Sequence, residues 1–194
     1  VLGALQRHAD PNSVHVLLSH LHADHCLDLP GLFVWRRYHP SPAPERGLVY
    51  GPANTWARLG AASSPEGDEI DDFTDIFDVR HWVDNQPVEI GALTVLPRLV
   101  CHPTESYGMR ITDPSGATLV YSGDTGYCDA LIDLARDADV FLCEASWTHS
   151  PSRPPRLHLS GTEAGRAAAR AGVSELLLTH IPPWTSREDI ISEA

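Results

Sequence analysis

The stretch His20-Leu21-His22-Ala23-Asp24-His25 decides how the rest of this chain is interpreted, because it places three imidazoles and a carboxylate within six residues. The preceding segment Val14–Ser19 is β-branched and apolar, and it predicts a buried strand that delivers the motif into a loop. Side chains two residues apart in an extended segment share a face, so His20 and His22 can hold one metal ion. A bend of the chain would carry the carboxylate and the last imidazole toward a second ion.

The ligand types indicate what such a site would do. Neutral imidazole and carboxylate bind Zn²⁺ and similar first-row ions, and a shell without thiolates fits a catalytic site better than a structural one. A His-rich surface loop that binds nothing is the alternative. The motif therefore predicts a hydrolase with two divalent ions, with zinc as the expected metal and manganese or iron as alternatives.

Composition restricts the function classes. A length of 194 residues with 42% hydrophobic residues predicts a single globular domain over 1–194. No window is apolar enough for a membrane span, and the four cysteines form no CxxC pair, so we expect a cytoplasmic protein with reduced thiols and no membrane partner. The net charge of −12 argues against a nucleic-acid partner, since such proteins present basic patches to phosphates.

Three local patterns give further expectations. The adjacent Arg36 and Arg37 predict a solvated helix face, and the acidic stretch Glu66–Asp78 predicts a solvated amphipathic surface element. The sequence opens at Val1 without methionine and stops within a predicted helix, Thr185–Ala194, whose first residues suggest a capping box between Thr185 and Glu188. We therefore expect a fragment that lacks N-terminal strands and the C-terminal end of the fold.

Hydrophobic periodicity and turn residues predict an α/β protein. Predicted helices cover Leu29–Tyr38, Pro52–Ala62, Cys128–Ala138 and Gly161–Ala171. Predicted strands cover Gly47–Tyr50, Phe77–Val83, Val88–Ile90, Leu93–Val100, Tyr107–Thr112, Ala117–Ser122, Val140–Cys143 and Glu175–Thr179.

Three polar residues follow predicted strands, at positions where loops converge in sheet proteins: His102, Asp124 and His180. Each is weak evidence alone, because a histidine after a strand is usually a satisfied structural residue and an Asp in Gly-Asp-Thr is usually a turn former. Together with the six-residue motif they supply enough donors for two ions and leave positions open for water.

These residues resemble the metallo-β-lactamase superfamily, in which HxHxDH, a later His, an Asp and a final His follow in this order. The resemblance spans His20 to His180 and implies a four-layer αβ/βα sandwich with the site along one edge of two sheets. It implies a first metal on His20, His22 and His102, a second on Asp24, His25 and His180, and Asp124 bridging the two.

Finer features resemble the ribonuclease Z-like branch of that superfamily. Asp24–Leu32 is similar to its DHxxGLPGL motif, with Asp28 in place of the usual glycine, and Ala138–Trp147 is similar to its ADxLxxEATF segment. His158 resembles the branch's extra histidine ahead of an Ala-rich helix, which is understood as the proton donor to the leaving group. The resemblance thus implies Asp24 and His158 as catalytic residues. For His158, the alternative is a loop residue before a helix capped by Ser160 and Glu163.

One departure argues against tRNA as substrate. Ribonuclease Z inserts a long tRNA-gripping arm between the third-motif histidine and the bridging aspartate, whereas a hairpin alone separates His102 from Asp124. Armless, acidic relatives in this branch include cyclic-nucleotide phosphodiesterases. The resemblance therefore implies hydrolysis of a 3′,5′-cyclic nucleotide such as cyclic AMP by a metal-bridging hydroxide.

Other functions stay open at this point. They are a tRNA 3′-end processing endoribonuclease of the ribonuclease Z type, a small ester or thioester hydrolase, and a low-turnover metal-binding or nucleotide-sensing module. Relatives often dimerise through the helix after the motif, where Leu32, Phe33 and Trp35 could pair copies or face the core. Candidate substrate contacts, with ordinary packing as the alternative, are Tyr107, Arg110 and Trp184.

Overall fold

A parallel three-stranded sheet organises the first part of the chain. In the computed structural model, which describes residues 2–194 and leaves out Val1, the chain separates after Trp82 into two units. The first sheet has the order β1 (Val16–Leu17), β2 (Gly47–Gly51) and β3 (Phe77–His81), with parallel pairing throughout. The helices of this unit are α1 (Leu2–Leu5), α2 (Ala23–Cys26), α3 (Leu29–Tyr38) and α4 (Thr55–Ser63), and a 3-10 turn covers Pro11–Ser13. Parallel neighbours need crossover connections, which α3 and α4 provide.

The core of the first unit is aromatic. Phe33 of α3 stacks on Phe73 with ring centroids 4.1 Å apart and also contacts Phe77 at 5.4 Å. All three rings are at most 1% exposed, so Phe73 and Phe77 form the inward face of the acidic stretch Glu66–Asp78. The acidic side chains of that stretch are exposed or partly exposed, as expected for an amphipathic surface element.

The prediction that Arg36 lies on a solvated helix face was wrong. Its side chain is 4% exposed, and its guanidinium donates to the carbonyl oxygens of Val14 (3.4 Å) and Glu45 (2.7 Å) and lies 4.8 Å from the ring centroid of Phe77. Carbonyl acceptors and an aromatic face can replace water around a guanidinium. Arg37 is partly exposed as expected, and it forms an ion pair with Asp75 at 2.9 Å.

The second unit, Val83–Ala194, contains a mixed six-stranded sheet. Its strands are β4 (Val88–Ile90), β5 (Leu93–Leu99), β6 (Tyr107–Thr112), β7 (Thr118–Tyr121), β8 (Val140–Glu144) and β9 (Glu175–Thr179), in that spatial order. The first four form an antiparallel meander, and β7, β8 and β9 are parallel. The helices α5 (Asp129–Ala135) and α6 (Gly161–Ala171) make the parallel crossovers, and α7 (Arg187–Glu193) follows β9. These units confirm the predicted α/β class.

Local capping signals explain where α6 begins and ends. Ser160 accepts from the Glu163 amide while the Glu163 side chain accepts from the Ser160 amide, which is the predicted capping box. Gly172, at φ 70°, ends the helix in the left-handed conformation. The capping box predicted for the last helix was placed one residue early, since Ser186, not Thr185, caps α7 by accepting from the Asp189 amide.

Two smaller differences concern the first unit. The strand predicted over Val14–Ser19 is reduced to Val16–Leu17, because β1 has one neighbour and pairs with β2 at two positions. Of the three residues considered for dimerisation on α3, Leu32 and Phe33 are buried in the core and Trp35 is partly buried. Among residues 2–194, no helix is long and apolar enough to cross a membrane.

The α3 helix provides a matched test of this core. We expect Phe33→Ala to lower the free energy of unfolding by about 3 to 5 kcal/mol, because it removes a fully buried ring and leaves a cavity. Val34, one residue along and 60% exposed, is the control, and its replacement by alanine should change stability by less than about 0.5 kcal/mol. Urea unfolding measures both values, and similar losses for the two variants would contradict the core assignment.

Candidate functional site

The six-residue motif forms a tight cluster in the first unit. The chain leaves β1, and His22 becomes the N-cap residue of α2, so the predicted bend is present and puts Asp24 and His25 in a helical turn. His20 Nε2 lies 3.1 Å from His22 Nδ1, and the His20 and His25 ring centroids are 4.2 Å apart. His25 Nε2 is 3.5 Å from Asp24 Oδ2. Three imidazoles and a carboxylate thus converge at the end of β1.

Hydrogen bonds behind this cluster hold it in place. His20 is fully buried, and its Nδ1 lies 3.1 Å from the Ser19 hydroxyl. The Trp82 indole donates to the Leu18 carbonyl oxygen at 2.8 Å and so fixes the end of the strand that carries the motif. Burial raises the pKa of the Cys26 thiol, which therefore remains neutral and serves as a packing residue.

Two predicted site residues of the second unit meet at the carboxyl ends of parallel strands. Asp124 follows β7 and His180 follows β9, with His180 Nε2 3.6 Å from Asp124 Oδ2. Asp124 is 2% exposed. His180 has φ 56°, a left-handed conformation that costs free energy in a residue with a Cβ and is typical of functional sites.

His158 joins the same cluster from the loop before α6. Its Nδ1 lies 3.8 Å from Asp124 Oδ2, and ligand atoms of Asp124, His158 and His180 all lie within 4.8 Å of one another. The His158 ring stacks on His180 at 5.3 Å and meets the Trp147 ring edge-on at 5.2 Å. This trio could hold a metal ion, or His158 could act on a group bound by the other two.

His102 lies in the same unit, with its ring centroid 5.8 Å from that of His158. Its Nδ1 is 2.9 Å from the Leu157 carbonyl oxygen. A carbonyl can only accept, so the ring hydrogen is on Nδ1 and the lone pair that could bind a metal is on Nε2.

The acid that organises this cluster is Glu144, which is not among the site residues predicted from the sequence. It ends β8, is 1% exposed, and accepts from the Thr125 amide at 2.6 Å and the Leu159 amide at 3.2 Å. Its Oε1 also lies 3.1 Å from His158 Nδ1. Burial raises the pKa of the Glu144 carboxyl, while the contacts with His158 and the Thr125 amide oppose that rise. The available sequence signals were the resemblance of Ala138–Trp147 to the ADxLxxEATF segment and an acid at the end of a strand that is otherwise apolar.

The candidate substrate contacts differ in their surroundings. The buried Tyr107 hydroxyl donates to Glu105 at 2.8 Å, and the Arg110 guanidinium donates to the carbonyl oxygens of Leu134 and Arg136. Both side chains therefore have structural partners. Trp184 is 85% exposed, and its contact with substrate stays a prediction.

A close backbone approach positions the loop that leads to His158. The Gly126 amide donates to the Cys101 carbonyl oxygen at 2.7 Å, and a Cβ on Gly126 would lie 2.5 Å from the Arg156 Cα. Arg156 itself has φ 62°, which marks a tightly constrained turn. Glycine at position 126 is thus required for this turn to pack beside the Asp124 loop.

We expect Gly126→Ala to lower the free energy of unfolding by roughly 1 to 3 kcal/mol, since backbone atoms of Arg156 must move away. Gly67→Ala is the matched control, because a Cβ there meets no atom within 4 Å and should leave stability unchanged or raise it by up to about 1 kcal/mol. Thermal and urea unfolding of both variants test this. Equal stability of the two would show that the turn is not constrained as described.

Comparisons with known proteins identify the family to which this chain belongs. The family described as "Beta-lactamase superfamily domain" matches residues 3–181. An uncharacterized protein of Mycobacterium leprae is 80% identical over 194 residues, covering all of this chain and 68% of the relative. A probable metallo-hydrolase of Bacillus subtilis, YhfI, is 30% identical over 192 residues, covering 92% of this chain and 70% of the relative.

Solved structures show the same fold. The crystal structure of YhfI, a metallo-beta-lactamase fold protein from Bacillus subtilis, superposes with a TM-score of 0.82 at 26% identity, covering 99% of this chain and 75% of that one. The short form of human tRNase Z gives a TM-score of 0.70 at 18% identity, covering 93% of this chain and 77% of that one.

Proposed function

Because the chain belongs to the beta-lactamase superfamily and is a metal-dependent hydrolase, we propose that it is a phosphodiesterase that hydrolyses a 3′,5′-cyclic nucleotide such as cyclic AMP. The observation that carries this proposal is His158. It is a histidine beyond the six-residue motif and the three strand-end donors, and it lies beside Asp124 and His180 against a buried carboxylate. A proton donor at this position suits a reaction whose leaving group is an alkoxide oxygen.

We propose two divalent ions as cofactors, with zinc as the expected metal. The ligands would be His20, His22 and His102 for one ion and Asp24, His25 and His180 for the other, with Asp124 shared. The donors are all imidazole or carboxylate, the chemistry that Zn²⁺, Mn²⁺ and Fe²⁺ accept. When bound, such a pair lowers the pKa of water to about 7 and stabilises the charge on attacking and leaving oxygens.

The residues of the chain supply the proton transfer and the orientation. His158 would give a proton to the departing ribose oxygen, a role typically worth about 10² to 10⁴-fold in rate. Its Nδ1 contacts Glu144 at 3.1 Å, which fixes the ring and directs Nε2 away from the carboxylate. Asp24 is the second proposed catalytic residue and contacts His25 at 3.5 Å.

The connection between His102 and Asp124 supports a small substrate. It consists of β6 and β7, joined by a tight turn in which the Gly116 amide donates to the Asp113 carbonyl oxygen at 3.0 Å. This hairpin is too short to include a structured arm that binds tRNA. The net charge of −12 also disfavours a long polyanion, since its phosphates would be repelled by most of the surface.

We further propose a cytoplasmic location. Cys26, Cys101, Cys128 and Cys143 are all free thiols, and unpaired thiols are typical of a reducing compartment.

The substrate proposal is tested with purified, zinc-loaded protein. We expect hydrolysis of 3′,5′-cyclic AMP to the nucleoside monophosphate, loss of activity after chelation, and recovery when zinc, manganese or iron is restored. A precursor tRNA and a thioester substrate are assayed in parallel. Cleavage of the precursor tRNA with cyclic AMP left intact would replace the phosphodiesterase by a tRNA-processing nuclease, and turnover of the thioester alone would indicate a small-ester hydrolase.

A separate experiment tests the role of His158. His158→Ala should lower kcat by about 10² to 10⁴-fold and leave the zinc content unchanged, because a proton donor is lost and the metal ligands stay. His149→Ala, an exposed histidine in the same loop, is the matched control and should keep wild-type turnover. Loss of bound zinc in His158→Ala would instead identify His158 as a ligand in the trio with Asp124 and His180.

A further inference from the structure

The hydroxyl of Ser146 lies between a proposed metal ligand and the buried carboxylate. Its Oγ is 2.7 Å from His180 Nδ1 and 2.9 Å from Glu144 Oε2. Ser146 is 5% exposed, so solvent has little access to replace these contacts. The other carboxylate oxygen of Glu144 faces His158 at 3.1 Å. One carboxylate therefore contacts one histidine directly and reaches the second through a single hydroxyl.

The direction of each hydrogen bond follows from the geometry of His180. Its Nε2 lies 3.6 Å from Asp124 Oδ2, so Nε2 is the nitrogen on the side of the proposed metal centre. An imidazole that binds a metal through one nitrogen carries its hydrogen on the other, which makes Nδ1–H a donor to the Ser146 hydroxyl oxygen.

The hydroxyl hydrogen of Ser146 then has two acceptors within reach. These are Glu144 Oε2 at 2.9 Å and the His180 carbonyl oxygen at 3.2 Å. A carboxylate is the stronger acceptor and here also the nearer one, so the hydrogen points to Glu144. The resulting chain runs from His180 Nδ1–H to the Ser146 hydroxyl and on to the carboxylate.

We propose that Ser146 is a positioning residue for the metal centre. It holds the His180 ring with Nε2 toward Asp124 and ties that ring to the carboxylate that also holds His158. This inference rests on the proposed function only in taking His180 as a metal ligand, and it does not depend on the identity of the substrate. Without the hydroxyl, His180 Nδ1–H loses its acceptor and the ring can turn about its bond to Cβ.

A purely structural role for Ser146 makes a different prediction. A buried hydroxyl that only satisfies its neighbours would affect stability and leave metal affinity intact. Ser160 is a matched control, because it is 1% exposed and its hydroxyl contacts Glu163 and His149 as the cap of α6. Ser160→Ala should therefore destabilise the protein without touching the proposed metal ligands.

The experiment compares four metal-free proteins, the wild type and the variants Ser146→Ala, Ser146→Thr and Ser160→Ala. Each is titrated with Zn²⁺ against a chromophoric chelator, and the Tm of each is measured separately. We expect Ser146→Ala to weaken at least one zinc site by about 10- to 100-fold, while Ser146→Thr stays within about threefold of wild type because it keeps the hydroxyl. Ser160→Ala should have a lower Tm and wild-type zinc affinity.

Three results would overturn the proposal: wild-type zinc affinity in Ser146→Ala, no recovery of zinc affinity in Ser146→Thr, or an equal loss of zinc affinity in Ser160→Ala.

If Ser146→Ala does not fold, NMR of zinc-loaded wild-type protein labelled with ¹⁵N-histidine provides the second readout, with His180→Gln used for assignment. A hydrogen on Nδ1 of His180 supports the proposal and a hydrogen on Nε2 overturns it. If the wild-type protein binds no zinc, the proposed metal centre is refuted. If it binds zinc but does not hydrolyse cyclic AMP, only the proposed substrate is refuted.

Discussion

The burial of one carboxylate determines how the second unit is arranged around its site. Glu144 is 1% exposed at the end of β8, and an ionised carboxyl removed from water is costly unless donors surround it. Its donors come from three places in the chain: the Thr125 amide after β7, the Ser146 hydroxyl just beyond β8, and the Leu159 amide with the His158 ring before α6. These segments have to converge for the charge to be compensated. The same convergence brings Asp124, His158 and His180 together.

The sheet makes that convergence rigid. Parallel β7, β8 and β9 end at the same edge, so the residues that follow them start from fixed and neighbouring positions. Below this edge, Val120, Phe141 and Leu159 are fully buried, and α6 packs an alanine-rich face into the same core. The left-handed backbone of His180 is tolerated because both ends of the residue are held, by β9 before it and by the Ser146 contact with its carbonyl oxygen.

The bounds of two helices could be predicted from sequence because their signals are local. The helices over Leu29–Tyr38 and Gly161–Ala171 have the bounds predicted from sequence, because caps and hydrophobic periodicity are properties of neighbouring residues. The N-cap of α7 was misplaced since Thr185 and Ser186 are both suitable, and the choice depends on a turn in which the Thr185 amide donates to the Pro182 carbonyl oxygen. Arg36 could not be assigned for a related reason, as its acceptors at Val14 and Glu45 are distant in sequence.

The candidate site likewise contains residues that the sequence can predict and residues whose role depends on the fold. A divalent ion accepts few ligand types, so residue type and order alone are enough to propose His20, His22, His102, Asp124 and His180 as ligands. The groups that orient those ligands need only a hydrogen-bonding atom in the right place, and an amide, a hydroxyl or a carbonyl serves equally well. Glu144 and Ser146 lie in the segment that resembles ADxLxxEATF, but the sequence does not show which residues they contact, since their partners His158 and His180 lie 14 and 34 residues further along the chain. Sequence patterns identify which groups could bind a metal, whereas the accuracy with which they are held depends on contacts that only the folded chain creates.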